Sequence, residues 1–361
     1  MNEYRVFNTI DSRWLTAAGP EDDIVISSRV RLARNSPQYP FPNAMTLQQE
    51  RAFLTEVAAV KLNGKKSGVG ELSFIDLSLV PKEERLVLVE KHLISPQLAL
   101  SEGATGLLIN EDETVAVMVN EEDHLRIQAI LPGLSVEDSW ELAGAVDDAL
   151  AQKIAPAFHP RWGYLTACPT NTGTGLRSSV MLHLPALVWA GQAGRILGNL
   201  NEYGFTCRGL YGEGTECKGN LFQISNQVTM GLSEEDIIQR LLQIVMNIVE
   251  RERDVRRTLM SRERIHVEDK VRRAEALLRG AVLLDIDEAF ALLSDLRLGI
   301  DLGFLPQYEP KLFNLLIILM QPVLIEKLTR DKLNKTEMKQ IRADLIRDKL
   351  QTETPQGGEK R

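Results

Sequence analysis

The sequence predicts an α+β fold followed by an all-α C-terminal domain, and three observations carry that prediction. From Ile24 to about Gly231, short apolar or β-branched runs of strand length are punctuated by Gly, Pro and Asn. Helical spacing appears between these runs without a strict strand–helix–strand period. After Gly231 strand signals are few, and apolar residues repeat at i, i+3 and i+4.

In chain order, strands are expected at residues 24–27, 106–110, 114–119 and 221–225, each bounded by turn or charged residues. Residues 46–60 carry Leu47, Phe53, Leu54 and Val57 at helical spacing, and residues 136–154 carry Leu142, Val146, Leu150 and Ile154. Ser233 with Asp236 is a helix start signal, and the apolar residues from Ile237 to Val249 then mark a long amphipathic helix. Further helical patterns (Val271 to Leu278, Phe290 to Leu296, and 312–328) are separated by Gly303 and Pro306. The domains expected are 24–256, mixed, and 257–350, helical; the Pro, Gly and charged residues of 351–361 read as a disordered tail.

Hydrophobic residues at 44% and charged residues at 25% are ordinary globular usage, and 361 residues suffice for two domains. A formal charge of -8 argues against a general nucleic-acid binder. Cys168, Cys207 and Cys217 include no C-x-x-C pair, so neither a disulfide framework nor a metal site is expected, and a reduced, cytoplasmic protein is. The polar N-terminus lacks a secretory signal, and the longest uncharged apolar stretch, 312–325, is broken by Pro322 and falls short of the ~20 residues a bilayer needs. No membrane span is expected. Leu315, Leu316 and Leu319 offer apolar surface to a second subunit, which makes a homodimer a candidate assembly.

Five segments concentrate chemistry. Cys168-Pro169-Thr170-Asn171-Thr172-Gly173-Thr174-Gly175-Leu176-Arg177 joins a thiol, a hydroxyl-rich glycine loop and a guanidinium, a composition suited to phosphate, although neither G-x-x-x-x-G-K-[ST] nor G-x-G-x-x-G is present. If the strand at Ile24 continues, Arg29 and Arg31 share one face and Val30 takes the other, either to bind an anion or to pair with Asp22 and Asp23. Glu121, Glu122 and Asp123 at a strand end place a carboxylate in a cleft, where crowding favours a general base, or else form an acidic turn. Residues 207–216 form a glycine-rich loop carrying Arg208, Glu213 and Glu216, as a mobile lid or a plain surface loop. His92 reads as a base-stacking or phosphate contact, or as a satisfied surface histidine.

In this order, Ser-x-Arg-Val-Arg, Asn-Glu-Glu-Asp-His-Leu-Arg, Cys-Pro-x-Asn-x-Gly-Thr-Gly-Leu-Arg and Ile224-Ser225-Asn226 resemble the catalytic domain of the phosphagen (guanidino) kinases, the superfamily of creatine kinase and arginine kinase. The resemblance spans roughly Ile24 to Gly231 and implies an antiparallel sheet flanked by helices. It implies ATP with Mg²⁺ as substrate, with no tightly bound cofactor, and phosphate contacts from Arg29, Arg31, Arg126, Arg177 and Arg208. Ser27, Ser28, Val30, His92, Ser178, Ser179, Val180, Met181, Gly209, Leu210, Tyr211 and Gly212 would complete the nucleotide site. Glu122 resembles the family's catalytic carboxylate, with Glu121 beside it and Glu213 as the loop glutamate; Cys168 would lie near the attacking guanidinium as a thiolate, next to a hydroxyl such as that of Thr170.

The chain starts almost at the first arginine strand, so the N-terminal helical domain that covers the substrate in small-molecule phosphagen kinases is expected to be absent. The helical region after about residue 256 resembles that of protein-arginine kinases of Gram-positive bacteria. The resemblance therefore implies phosphorylation of exposed arginine in proteins, a stress-response role through a Clp protease, and a zinc-binding activator as partner. Free arginine or another small guanidine is the alternative acceptor, and an inactive phosphoarginine or protease adaptor is a further reading. Where such kinases usually carry Arg-Asp-x-x-Arg-Ala, this chain reads Met338-Lys339-Gln340-Ile341-Arg342-Ala343, retaining the second half.

Overall fold

The computed structural model describes residues 4–60, 63–64, 68–209 and 217–352. Its centre is a sheet of nine strands among the described residues, all neighbours antiparallel, in the order β10-β11-β9-β1-β6-β5-β4-β3-β2. The strands are β1 (Val25–Arg34), β2 (Asn63–Gly64), β3 (Gly70–Asp76), β4 (Gly106–Asn110), β5 (Val115–Val119) and β6 (Leu125–Pro132). After the small hairpin of β7 (Phe158–His159) and β8 (Gly163–Tyr164) come β9 (Leu176–His183), β10 (Phe205–Arg208) and β11 (Leu221–Asn226). The helices before the last strand are α1 (Leu47–Ala58), α2 (Lys82–Glu90), α3 (Pro96–Leu100), α4 (Val136–Ala151), α5 (Pro185–Trp189) and α6 (Ala193–Gly198). Those after it are α7 (Glu234–Arg262), α8 (Arg264–Gly280), α9 (Ile286–Asp301), α10 (Pro310–Leu319), α11 (Pro322–Thr329) and α12 (Lys335–Thr352).

Alternation decides what each face of the sheet does. Val30, Leu32, Val117, Ile127, Val180 and Ile224 face one way and form a core with Phe53 and Val57 of α1, Val146 and Leu150 of α4, and Leu241 and Val245 of α7. The opposite face is covered in two places. At one end Ile75, Leu107, Ile109 and Met118 pack with Leu88 of α2 and Leu98 of α3. At the other, Ile26, Ile130, Met181 and Leu221 join the core of the C-terminal helices, built on Leu293, Leu296, Phe313, Leu316 and Ile346. Between these covers the sheet surface is lined by arginine.

The helices expected at 46–60, at 136–154 and from Ser233 form, although Leu47 is exposed. Thr46 caps α1 in a reciprocal capping box with Gln49, and Ser233 does the same for α7 with Asp236. The strand expected at 24–27 continues to Arg34, which puts Arg29 and Arg31 inside the sheet. Two of its central strands, β6 and β9, have no counterpart in the sequence reading. α7 runs unbroken through residues 256 and 257, with Val245 in the sheet core and Leu259 in the C-terminal core. Gln351 and Thr352, expected in the tail, end α12; residues 353–361 lie outside the described residues.

One expectation is overturned. Leu316 and Leu319, offered to a second subunit, are 0% and 6% exposed within their own chain, and Leu315 is half-buried. α10 is covered by α9, so its apolar run is an internal helix. Among the described residues no single helix is long and apolar enough to cross a membrane; α10 and α11 reach that length only as a pair bent by 81°. Arg342 and Ala343, the retained half of the C-terminal motif, are buried: Arg342 donates to the carbonyls of Met320 (3.0 Å) and Leu284 (3.1 Å).

Glu90 ends α2 beneath α11, where burial pushes its carboxyl up to about 7 from 4.5 against the backbone N–H bonds of Val323 and Leu324. A carboxyl raised in the fold adds stability that is fully present below about pH 4.5 and lost as pH rises through about 7. Urea unfolding should therefore show the parent losing up to roughly 3 kcal/mol relative to Glu90→Gln between pH 5 and pH 8. Parallel stability profiles for the two proteins would contradict the assignment.

Candidate active site

The register of three central strands builds a row of cations. Arg31 on β1 lies directly opposite Arg177 on β9 and Gln128 on β6, while Arg29 lies opposite Ser179 and Ile130. Residues paired across a ladder share a face, so Arg29, Arg31, Arg177 and Gln128 emerge together on the surface left between the two covers, while Ile130 lies under the C-terminal helices. The first four line a cavity of ≈ 240 Å³ with His92, Ser95, Met118, Arg208 and Gln223. Among the described residues Arg29 and Arg31 form no ion pair, and Arg31 Nε is buried without a hydrogen-bond partner. Of the two alternative partners, Asp23 is engaged elsewhere, with Arg253.

The electrostatics of the row follow from burial and like charge. Burial, then the charges of Arg177 and Arg126, pull Arg29 down to about 10, and Arg31 falls well below the ordinary guanidinium range for the same reasons. Burial and then Arg29 bring His92 down to about 3, so its ring is neutral. Such a surface favours a multivalent anion that replaces repulsion with charge-assisted hydrogen bonds.

The adjoining turn separates three acids that look alike in sequence. Asn120 adopts a left-handed φ of 58°, and its amide donates to the carbonyls of Glu50 and Ala104. Glu121 is drawn inward: its carboxylate accepts from Arg126 Nη1 (2.7 Å), Ser95 Oγ (2.5 Å) and the Glu122 N–H (2.7 Å). Burial pushes Glu121 up, but these partners outweigh it and hold it below the usual carboxylate range. Glu122 accepts from Arg126 at 3.1 Å yet remains one-third exposed, and burial, reinforced by Asp123 and Glu121, raises it. A carboxylate that is accessible and somewhat more basic than usual suits proton abstraction.

Glu121 and Glu122 line a second cavity of ≈ 430 Å³ with Glu50, Gln97, Asn120, Cys168 and Pro169. Cys168 Sγ lies 3.0 Å from Thr170 Oγ1. Asp123, fully buried, is a clamp. One of its oxygens accepts from Asn35 Nδ2 (2.7 Å) and the Ala167 N–H (2.8 Å), fastening the turn to the start of the cysteine loop. The two cavities meet at Ser95, which lines the arginine cavity and hydrogen-bonds Glu121 in the other.

Of the residues singled out in the sequence, Arg29, Arg31, His92, Arg177 and Arg208 come together in one cavity, and Glu121, Glu122 and Cys168 in the next, with Arg126 hydrogen-bonded to Glu121 and Glu122. Ser28, Val30, Ser178 and Val180 point to the other face: Ser28 Oγ donates to Gly133 O, and Val30 and Val180 lie in the core. Ser27, Ser179 and Met181 share the arginine face outside the cavity wall, Met181 under the C-terminal helices, and Gly209 follows β10. Leu210, Tyr211, Gly212 and Glu213 lie outside the described residues.

Packing by itself requires two of the loop glycines. Gly173 has φ 116° and a Cβ there would sit 2.2 Å from Thr229 O, while Gly175 closes on the Ala33 carbonyl. Sequence reasoning missed Ser95, whose Ser-Pro context signals only the cap of α3, and Gln128 and Gln223, which carry no signal within apolar strands. Among the described residues no group of three His, Cys, Asp or Glu side chains could hold a metal ion.

An antiparallel sheet that presents an arginine row beside a carboxylate–thiol cavity defines a guanidino phosphotransferase, and the comparisons agree. Residues 54–255 match the family ATP:guanido phosphotransferase, C-terminal catalytic domain, and residues 264–360 match the Protein-arginine kinase McsB C-terminal domain. The protein-arginine kinase of Desulforamulus reducens is 48% identical over 94% of this chain and 95% of its own, and that of Moorella thermoacetica 45% over 94% and 97%. Among solved structures, lombricine kinase aligns with a TM-score of 0.57 at 25% identity, over 69% of this chain and 70% of that one. The duplicated taurocyamine kinase of Schistosoma mansoni with bound transition-state analogue components aligns at 0.55 and 26%, over 70% and 35%. The chain belongs to the protein-arginine kinase family.

Two outcomes follow from this geometry. Arg31→Met should leave the melting temperature of the protein alone unchanged or higher, because it removes a repelled, buried cation. The stabilisation of about 2–3 kcal/mol that a hundredfold excess of pyrophosphate over its Kd gives the parent should be lost; calorimetric melts with and without pyrophosphate read both effects. Asp123→Ala should cost about 1–3 kcal/mol in denaturant unfolding, since the Ala167 N–H loses its acceptor.

Proposed function

We propose that this chain transfers the γ-phosphoryl group of Mg²⁺-bound ATP to the guanidinium of arginine side chains in proteins. The observation that carries the reading is the junction of the two cavities at Arg126, Glu121 and Ser95. A donor held among Arg29, Arg31, Arg177 and Arg208 would present its terminal phosphate toward an acceptor held by Glu122 and Cys168. Phosphoryl transfer passes through a loose transition state with charge on the equatorial oxygens, which fixed guanidinium groups stabilise; magnesium entering with the nucleotide substrate would supply further neutralisation of that charge.

The acceptor needs the opposite provision. A guanidinium with an ordinary pKa above ~12 is a poor nucleophile while protonated. Glu122, accessible and raised, is the group to align the attacking nitrogen and take its proton, with Arg126 relaying Glu121's position to it. Cys168, which lines the same cavity as Glu122, orients the guanidinium without forming a bond to it. Glu213 keeps its assignment as the second carboxylate on sequence grounds alone.

Protein arginine is favoured over free arginine by the C-terminal match and by the relatives named protein-arginine kinase. The same family membership is the support for a cytoplasmic stress-response role, delivery of marked proteins to a Clp protease and a zinc-binding activator. A homodimer belongs to this reading, and Ile265, Leu277, Val282 and Leu283 are among the exposed apolar side chains of the described residues.

Incubation with radiolabelled ATP and either an arginine-rich protein or free arginine tests the reading. Acid-labile label should appear on the protein; label on the free amino acid alone would replace this acceptor with a small guanidine, and no label with either would favour an adaptor. Glu122→Gln should lower kcat by ~10²–10⁴ with little change in nucleotide affinity. Full activity in that variant would remove Glu122 from the base role.

A further inference from the structure

α2 lies between the arginine cavity and the C-terminal helices and touches both. Its last turn gives Val89 to the cavity wall, and His92 follows two residues beyond its end. Glu90, between them and 8% exposed, faces the other way. Its two carboxylate oxygens accept the N–H groups of Val323 (3.0 Å) and Leu324 (2.8 Å), at the start of α11. The first turn of a helix presents unsatisfied N–H groups and partial positive charge, so this bidentate contact fixes the end of α2 on α11.

Two more contacts fasten the same helix. Lys327 of α11 reaches Glu84 at 3.4 Å, and Val87 of α2 is buried in the core of the C-terminal helices. The residues after Glu90 bind elsewhere. Lys91 Nζ donates to the carbonyls of Val6 and Thr9, both at 2.9 Å, and to Glu113 at 2.5 Å. His92 then takes a left-handed φ of 61°, its carbonyl accepting from Gln128 Nε2 at 2.8 Å and its ring meeting Trp14 edge-on. Three consecutive residues thus hold the C-terminal helices, the N-terminal segment and the arginine cavity in one register.

We propose that Glu90 is a positioning residue for the nucleotide: by anchoring α2 to the first turn of α11, it sets Val89 and His92 against Arg29 and Arg31, so that the C-terminal helices shape the donor cavity. The inference rests on the reading of that cavity as the ATP site. Glu90 does not line the cavity, so its effect passes through α2. Linkage then makes the effect reciprocal, and nucleotide in the cavity must tighten the seating of α11.

Mg-ATP affinity by calorimetry, steady-state kinetics and amide hydrogen exchange of α11 test this in the parent, Glu90→Gln and Glu90→Ala. Kd and KM for ATP should rise about five- to twentyfold in Glu90→Ala and less in Glu90→Gln, which keeps one acceptor oxygen, while kcat at saturating ATP changes less than twofold. Saturating Mg-ATP should slow exchange at residues 323–329 of the parent and leave it unchanged in Glu90→Ala. Folded variants that bind ATP like the parent would overturn the proposal. If Glu90→Ala does not fold, the parent decides alone: exchange in α11 indifferent to nucleotide overturns it equally. A failed ATP reading is recognised separately, because the parent then shows no Mg-ATP binding that Arg29→Met removes.

Discussion

The site depends on holding guanidinium groups side by side on one face of a sheet. Paired strands bring opposite residues within about 5 Å of one another at the Cα atoms, and Arg31 faces Arg177 across such a pair. Two unit charges ~7 Å apart at an effective dielectric of ~20 repel by about 2 kcal/mol. The row is therefore costly in the protein alone and favourable once phosphates lie against it. β1, β6 and β9 can carry that cost because their other face is fully occupied by Val30, Leu32, Ile127 and Val180 against α1, α4 and α7. Rigid strands also keep the cations from swinging apart.

What bounds the row is as important as what forms it. α2 and α3 cover one end of the arginine face and the C-terminal helices the other. The opening between them admits an elongated anion, and the acid turn after β5 stands at its mouth. That turn sorts three adjacent acids by their partners. Glu121 is tied to Arg126 and Ser95, Asp123 is locked to Asn35 and Ala167, and Glu122 is left accessible to a second reactant.

Much of this was legible in the sequence because its signals are local. The Ser233–Asp236 box, the alternation of Arg29, Val30 and Arg31, and the runs that became β4 and β11 depend on neighbouring residues. β6 and β9 were not expected as strands. β6 alternates Leu125, Ile127 and Ala129 with Arg126 and Gln128, a period of two that the sequence reading passed over, whereas in β9 Ser178 on the core face interrupts the alternation. The separate duties of Glu121, Glu122 and Asp123 were hidden as well, since they are assigned by Ser95, Arg126, Asn35 and Ala167 from distant parts of the chain. The burial of Leu316 and Leu319 reversed a surface expectation for the same reason: the helices that cover α10 leave no mark on its own sequence.

The most direct test of the central claim is nitrogen-15 NMR of the guanidinium groups during titration with a non-hydrolysable Mg²⁺–ATP analogue. The account predicts that Arg29, Arg31 and Arg177 respond together, with large Nε–H shifts and slowed rotation about the Nε–Cζ bond as phosphate oxygens replace mutual repulsion. Tight nucleotide binding with these three signals unmoved would contradict it.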